Sequence, residues 1–125
     1  MTDEERRAVG MRVRREVLGD AHVDNAVTNT TEFTADFQDF ITRYAWGDLW
    51  ARPALTRQQR SMVTLALLAG LGRHEEVAMH VRAALRNGLT PAEISEVLLH
   101  VAVYAGVPAA NRAFVIADNT IKESS

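Results

Sequence analysis

The 125-residue sequence predicts an all-α domain of six or seven helices. Three observations carry that expectation: apolar residues recur at threes and fours along most of the chain, several helix starts have the form of capping boxes, and strand-like alternation is negligible. Thr2 with Glu5 opens the first helix, which keeps Val9, Val13 and Val17 at fourfold spacing to about Leu18. Gly19-Asp20 breaks it, and Ala21 to Thr30 reads as a turn or short helix closing on Thr28-Asn29-Thr30-Thr31. From about Glu32 to Trp46, Phe33, Phe37, Phe40, Ile41, Tyr44 and Ala45 form an aromatic stripe that calls for burial, and Gly47 is read as its end.

Asp48 to Pro53 is a short connection holding Trp50 and Arg52. Thr56 with Gln59 opens a helix to Leu71 that is apolar nearly all round from Met62. Gly72 turns the chain into a helix from Arg73 to Arg86, with Asn87-Gly88 as a left-handed stop. Thr90-Pro91-Ala92-Glu93 starts the next helix, to about Ala105, with Ile94, Val97, Leu98, Val101, Ala102 and Ala105 as the buried stripe. Gly106-Val107-Pro108 stops it, and a last helix runs from about Ala109 to Ile121.

Length places the chain as one domain, residues 1–125. A net charge of −2 removes the field of a general nucleic-acid or anionic-membrane binder. Thirteen of the fourteen basic residues are Arg; this suits two-pronged recognition of carboxylates, and a high-GC genome would give the same bias. With no cysteine, disulfides, thiolate metal sites and thiol nucleophiles are excluded. The acidic N-terminus lacks the apolar core of a signal peptide, and the run from Met62 to Gly72 is too short to span a bilayer. A cytoplasmic protein follows as the default expectation.

On the helix from Arg73, the residues Arg73, Glu76, His80, Ala83, Ala84 and Asn87 share one face. Glu76 and His80 are one turn apart, where a carboxylate can orient an imidazole and favour its protonated form, giving a proton donor near neutral pH. An ordinary surface pair or a satisfied core histidine has the same spacing. His74 and His80 lie on nearly opposite sides of the helix with no third ligand in register, so no metal site is expected. Ser61 lacks the context of a nucleophile elbow.

Several stretches together resemble the carboxymuconolactone decarboxylase family: Arg60 to Ala66, the helix carrying Glu76 and His80 before Asn87-Gly88, Thr90 to Ile94 with Glu96-Val97, and Tyr104 to Asn111. Arg15 to Asp24 and Phe37 to Gly47 extend the likeness over almost the whole chain. The alkylhydroperoxidase-D-like relatives of that family carry two cysteines where Arg73 and Glu76 stand, a glutamate at Ser61, and the same histidine at His80, so peroxidase chemistry is excluded here. The resemblance implies the all-helical fold, a homo-oligomer such as a trimer or hexamer, and a reaction that needs no cofactor.

The implied reaction converts 4-carboxymuconolactone, a small dicarboxylate lactone, to 3-oxoadipate enol-lactone and CO2 in protocatechuate breakdown by the β-ketoadipate route. Under that reading His80 donates the proton, Glu76 orients it or crowds the departing carboxylate, and Arg73, with Arg43 or Arg60, holds the carboxylates. Ser61 and Tyr104 are candidates for hydrogen bonds to the lactone oxygen, and Trp46 and Trp50 for excluding water; packing alone also accounts for two tryptophans. The alternative expectation is a non-catalytic family member that binds a small acid or serves as an oligomeric scaffold.

Overall fold

A computed structural model describes residues 1–125, in which seven α-helices and one π-helix account for most of the chain and no strand forms. The helices divide between two compact units, Met1–Thr56 and Arg57–Ser125.

In the first unit, α1 (Asp3–Leu18) starts as the Thr2 and Glu5 pair predicts. The Thr2 hydroxyl accepts from the Glu5 amide at 3.1 Å while the Glu5 carboxylate accepts from the Thr2 amide at 3.4 Å. Gly19 closes α1, and the next stretch is a true helix, α2 (Asp20–Thr28). α1 packs lengthwise on the π-helix (Thr42–Leu49), and glycine makes this closeness available. A β-carbon at Gly10 would lie 2.0 Å from the Thr42 carbonyl oxygen, and one at Gly47 would lie 2.4 Å from that of Arg6. No side chain fits either contact.

The expected helix from Glu32 to Trp46 differs from the observed one at both ends. α3 (Ala35–Ile41) begins later, because Thr31 and Thr34 exchange amide-to-hydroxyl hydrogen bonds of 2.9 and 3.3 Å in a turn of their own. Gly47 does not end the helical path: the chain continues in π-helical form to Leu49, and the Trp50 amide reaches the Ala45 carbonyl five residues back at 2.9 Å. The glycine serves close approach instead of termination. The face turned inward carries Thr42, Trp46 and Gly47, so Phe33, Phe37, Phe40 and Tyr44 remain exposed, Phe33 by 94%.

The second unit comprises α4 (Arg57–Leu71), α5 (His74–Arg86), α6 (Pro91–Tyr104) and α7 (Val107–Ser124). α4 touches each of the other three. Its buried line is Ser61, Leu65 and Ala69, while Val63, Leu67 and Leu71 face outward, so the helix that reads as apolar all round has one covered side. α5 ends in a Schellman motif: the Leu89 amide bonds the Ala84 carbonyl at 2.9 Å and the Gly88 amide bonds that of Leu85 at 3.1 Å. Gly88 holds a φ of 98°, which disfavours any side chain.

Thr90 and Glu93 cap α6 reciprocally, as predicted. Ile94, Leu98 and Val101 are its buried stripe, whereas Ala105, just beyond the helix, is exposed. α7 starts two residues before the predicted position, because Pro108 is accommodated in its first turn, where a missing amide hydrogen costs nothing. Small residues Ala110, Ala113 and Ala117 form its inner face, which lets α7 approach α5 and α6 closely.

The Gly10 contact gives a direct stability test. Gly10→Ala forces the α1 backbone away from the π-helix and is expected to destabilise the protein by about 1–3 kcal/mol, as overpacking does. Chemical denaturation of the two proteins measures it, and an unchanged midpoint would refute the close-approach account.

Candidate functional site

In the second unit, the apolar core is interrupted by few polar side chains, and three of them stand on α4 and α5: Arg60, Ser61 and His80. α5 buries Val77, His80, Val81, Ala83 and Ala84 as one face, so the imidazole sits in the middle of an apolar strip with only 8% of its surface exposed. Ala83 and Ala84, on the same face, are themselves packed into the core. A histidine so placed is shielded from bulk water, where proton transfer to a bound molecule competes least with solvent.

Ser61, wholly buried on α4, accepts a hydrogen bond of 3.0 Å from the Asn87 side-chain amide at the end of α5. This pair pins the end of α5 to α4. Asn87 reads from sequence chiefly as a helix stop. The signal for its second role was its place two turns beyond His80 on the same face.

Arg73 and Glu76 lie on the N-terminal stretch of that face, and both are exposed. Arg73 is the residue before α5, and its own amide closes α4 by bonding the Leu68 carbonyl at 2.9 Å. Glu75 and Glu76 occupy the first turn of α5, where carboxylates complement the helix dipole. The face therefore runs from an exposed cation and carboxylate to a buried imidazole.

The other predicted site residues are placed as follows. Tyr104 is exposed at the end of α6 with its ring stacked on His100, centroids 4.8 Å apart. Trp46 and Trp50 are buried in the first unit with centroids 5.4 Å apart. Arg43, also there, is engaged by carboxylates: its Nε donates to Asp39 at 2.8 Å and its NH1 lies 3.8 Å from Asp3. Asp39 in addition takes a two-pronged bond from Arg7. The Arg7 hydrogen bond, reinforced by that of Arg43, holds the Asp39 carboxyl down to about 2, below the usual carboxylate range.

A concavity of about 470 Å³ lies between α4 and α6, walled by Met62, Val63, Ala66 and Val97, with Glu93, Glu96 and His100 as its polar members. Two carboxylates on its wall oppose entry of a dianion. For an acidic ligand the buried-histidine face of α5 is the better candidate.

Comparison with known proteins identifies the family of the chain. Residues 35–119 match the carboxymuconolactone decarboxylase family, and the chain belongs to that family. It is 48% identical over 123 residues to the 4-carboxymuconolactone decarboxylase of Acinetobacter baylyi, covering 98% of this chain and 92% of that one. It is 45% identical over 114 residues to the nitrosuccinic acid decarboxylase npaB of Metarhizium robertsii, covering 91% and 80%. A 4-carboxymuconolactone decarboxylase of Pseudomonas putida is 50% identical over 48 residues, which is 38% of this chain and all of that sequence.

The depressed Asp39 carboxyl gives a pH test with a definite sign. Its ion pairs stabilise the fold above the ordinary carboxylate pKa of about 3.8 and lose that effect as pH falls toward about 2. The difference in melting temperature between wild type and Asp39→Asn is expected to be constant from pH 7 to about 4 and to close between about 4 and 2. A difference that persists unchanged at pH 2 would show that the carboxylate charge is not what acts.

Proposed function

We propose that this chain catalyses the cofactor-independent decarboxylation of 4-carboxymuconolactone to 3-oxoadipate enol-lactone and CO2, in protocatechuate breakdown. The near-full-length 48% identity to the Acinetobacter decarboxylase carries the reading. The chemistry explains why an all-helical scaffold without thiols suffices. When the bond between the ring carbon and its carboxylate breaks, the electron pair passes through the ring double bond into the lactone carbonyl. The substrate is its own electron sink, so the protein has to hold a dianion, stabilise the developing oxyanion, and deliver one proton to the ring carbon beside the carbonyl.

His80 is assigned the proton delivery, because it is the buried titratable group on the α5 face. Glu76 orients the imidazole or crowds the departing carboxylate. Arg73 at the exposed end and Arg60 from α4 hold the carboxylates, since guanidinium pairs with them in two-pronged fashion. Arg43 is the weaker candidate for that task, being already engaged by Asp39. Ser61, oriented by Asn87, and Tyr104 are hydrogen-bond donors for the lactone oxygen, whereas packing against each other in the first unit accounts for Trp46 and Trp50.

A second reading comes from the Metarhizium relative. In nitrosuccinate the departing carboxylate shares its carbon with a nitro group, which takes up the electron pair as a nitronate. The same demands follow, a dicarboxylate held and a carbanion protonated, so this chain is read as specific for the lactone with nitrosuccinate as the competing substrate.

Homo-oligomerisation, as a trimer or hexamer, and a cytoplasmic location belong to the same proposal. Support for assembly comes from the outward apolar rows, Val63, Leu67 and Leu71 on α4 and Leu99 and Val103 on α6, which a second copy would cover.

Purified protein is expected to release CO2 from 4-carboxymuconolactone without any addition, and faster than from nitrosuccinate. His80→Gln is expected to lower turnover by about 10²–10⁴-fold, the usual contribution of a positioned proton donor. Preference for nitrosuccinate would favour the second reading, inactivity of folded protein on both would sink the enzymatic one, and full activity of His80→Gln would remove the histidine from the mechanism.

A further inference from the structure

The N-terminal unit holds a charge arrangement that the decarboxylation does not use. Arg14, on α1, is only 6% exposed and belongs to the buried set with Val13 and Val17. A guanidinium removed from water is ordinarily matched by a carboxylate, since its own charge is expensive to desolvate. Arg14 has no such match. Its NH1 donates to the Thr42 hydroxyl at 3.4 Å and its NH2 to the Gln38 side-chain oxygen at 3.1 Å, both neutral acceptors, and its Nε finds no acceptor. The Thr42 hydroxyl in turn gives its proton to the Gln38 carbonyl at 2.7 Å, so it can only accept from Arg14.

This side chain lines a cleft of about 410 Å³ formed wholly within the unit. Gln38 and Thr42 stand beside it, Arg7 and Asp39 add charge, and Met11 and Val27 supply apolar wall. Arg7 and Asp39 pair with each other, and Arg43 adds a second cation to Asp39. The Asp39 carboxylate is therefore spoken for, and Arg14 leaves the cleft with a surplus of positive charge in a chain whose net charge is −2. The Thr30 hydroxyl, which also lines the cleft, commits its proton to the Ala26 carbonyl at 2.8 Å, so Arg14 is the donor left for an anion.

We propose that this cleft is a binding site for a small organic carboxylate, whose carboxylate takes up the remaining Arg14 donors and whose carbon chain rests on Met11 and Val27. A planar carboxylate matches the guanidinium fork, and the apolar wall distinguishes an organic acid from an inorganic anion. None of its lining residues is assigned a part in the decarboxylation, so occupation of the cleft is a binding function beyond turnover.

The test is an NMR titration of the full chain, following the methyl signals of Met11 and Val27. Hexanoate is the probe; hexanol carries the same chain without charge, and sulfate carries charge without a chain. Hexanoate is expected to shift both methyl groups saturably and more tightly than either control. Arg14→Met, which keeps the bulk of the side chain and removes the charge, is expected to weaken hexanoate at least about tenfold, as loss of a charge-assisted hydrogen bond does. Should that variant fail to fold, Val27→Glu at its exposed position puts a competing carboxylate at the cleft and is expected to weaken hexanoate likewise. Absence of saturable shifts in wild type would overturn the proposal, as would hexanoate binding unchanged by either folded variant, or binding of sulfate or hexanol as tight as that of hexanoate.

Discussion

Close packing of α5 against its neighbours is the constraint on which the second unit depends. Ala83 and Ala84 on α5, Ala69 on α4, and Ala110, Ala113 and Ala117 on α7 are all buried, and larger side chains at those places would hold the helices apart. Because the helices come close, a histidine in the middle of the α5 face is enclosed without a deep pocket. The Schellman turn at Gly88 and the bond from Asn87 to Ser61 then fix where that face ends relative to α4. Fold and candidate chemistry rest on the same choice of small residues.

Charge is distributed to a similar end. The chain is slightly acidic overall, yet it buries two arginines, Arg14 and Arg60, one in each unit. The surface ion pairs of Arg12 with Glu16 and Lys122 with Asp118 are exposed helix pairs, each contributing little to stability. Buried cations are costly to desolvate, and Arg14 meets only neutral acceptors. With a net charge of −2 the overall field does not attract anions, so the proposed anion recognition has to be local.

Much of the fold was legible because the signals are local. The capping boxes at Thr2 and Thr90, the glycine stops at Gly72 and Gly88, and the three-and-four spacing on α4 to α6 depend on nearest neighbours along the chain, and the structure follows them. What was not legible depends on contacts distant in sequence. Gly47 reads as a stop but is a packing contact with Arg6, and the aromatic stripe from Phe33 to Tyr44 reads as core but faces outward because the π-helix turns Thr42 and Trp46 inward. Pro108 reads as a breaker because its place in the first turn of α7 is not distinguishable from a place before it. At the site, spacing brought His80, Glu76 and Arg73 to one face; that the face passes from exposed to buried, and that Asn87 bonds Ser61, required the neighbouring helix. Arg14 offered no sequence signal, since a single arginine on an amphipathic helix usually points to solvent.

The α5 face is the proposed place of acid binding. A crystal structure with an unreactive dicarboxylate lactone tests this most directly. Density for the lactone against His80, with a carboxylate on Arg73 or Arg60, is the predicted result. Density instead in the concavity lined by Glu93, Glu96 and His100, with the His80 face vacant, would contradict the assignment.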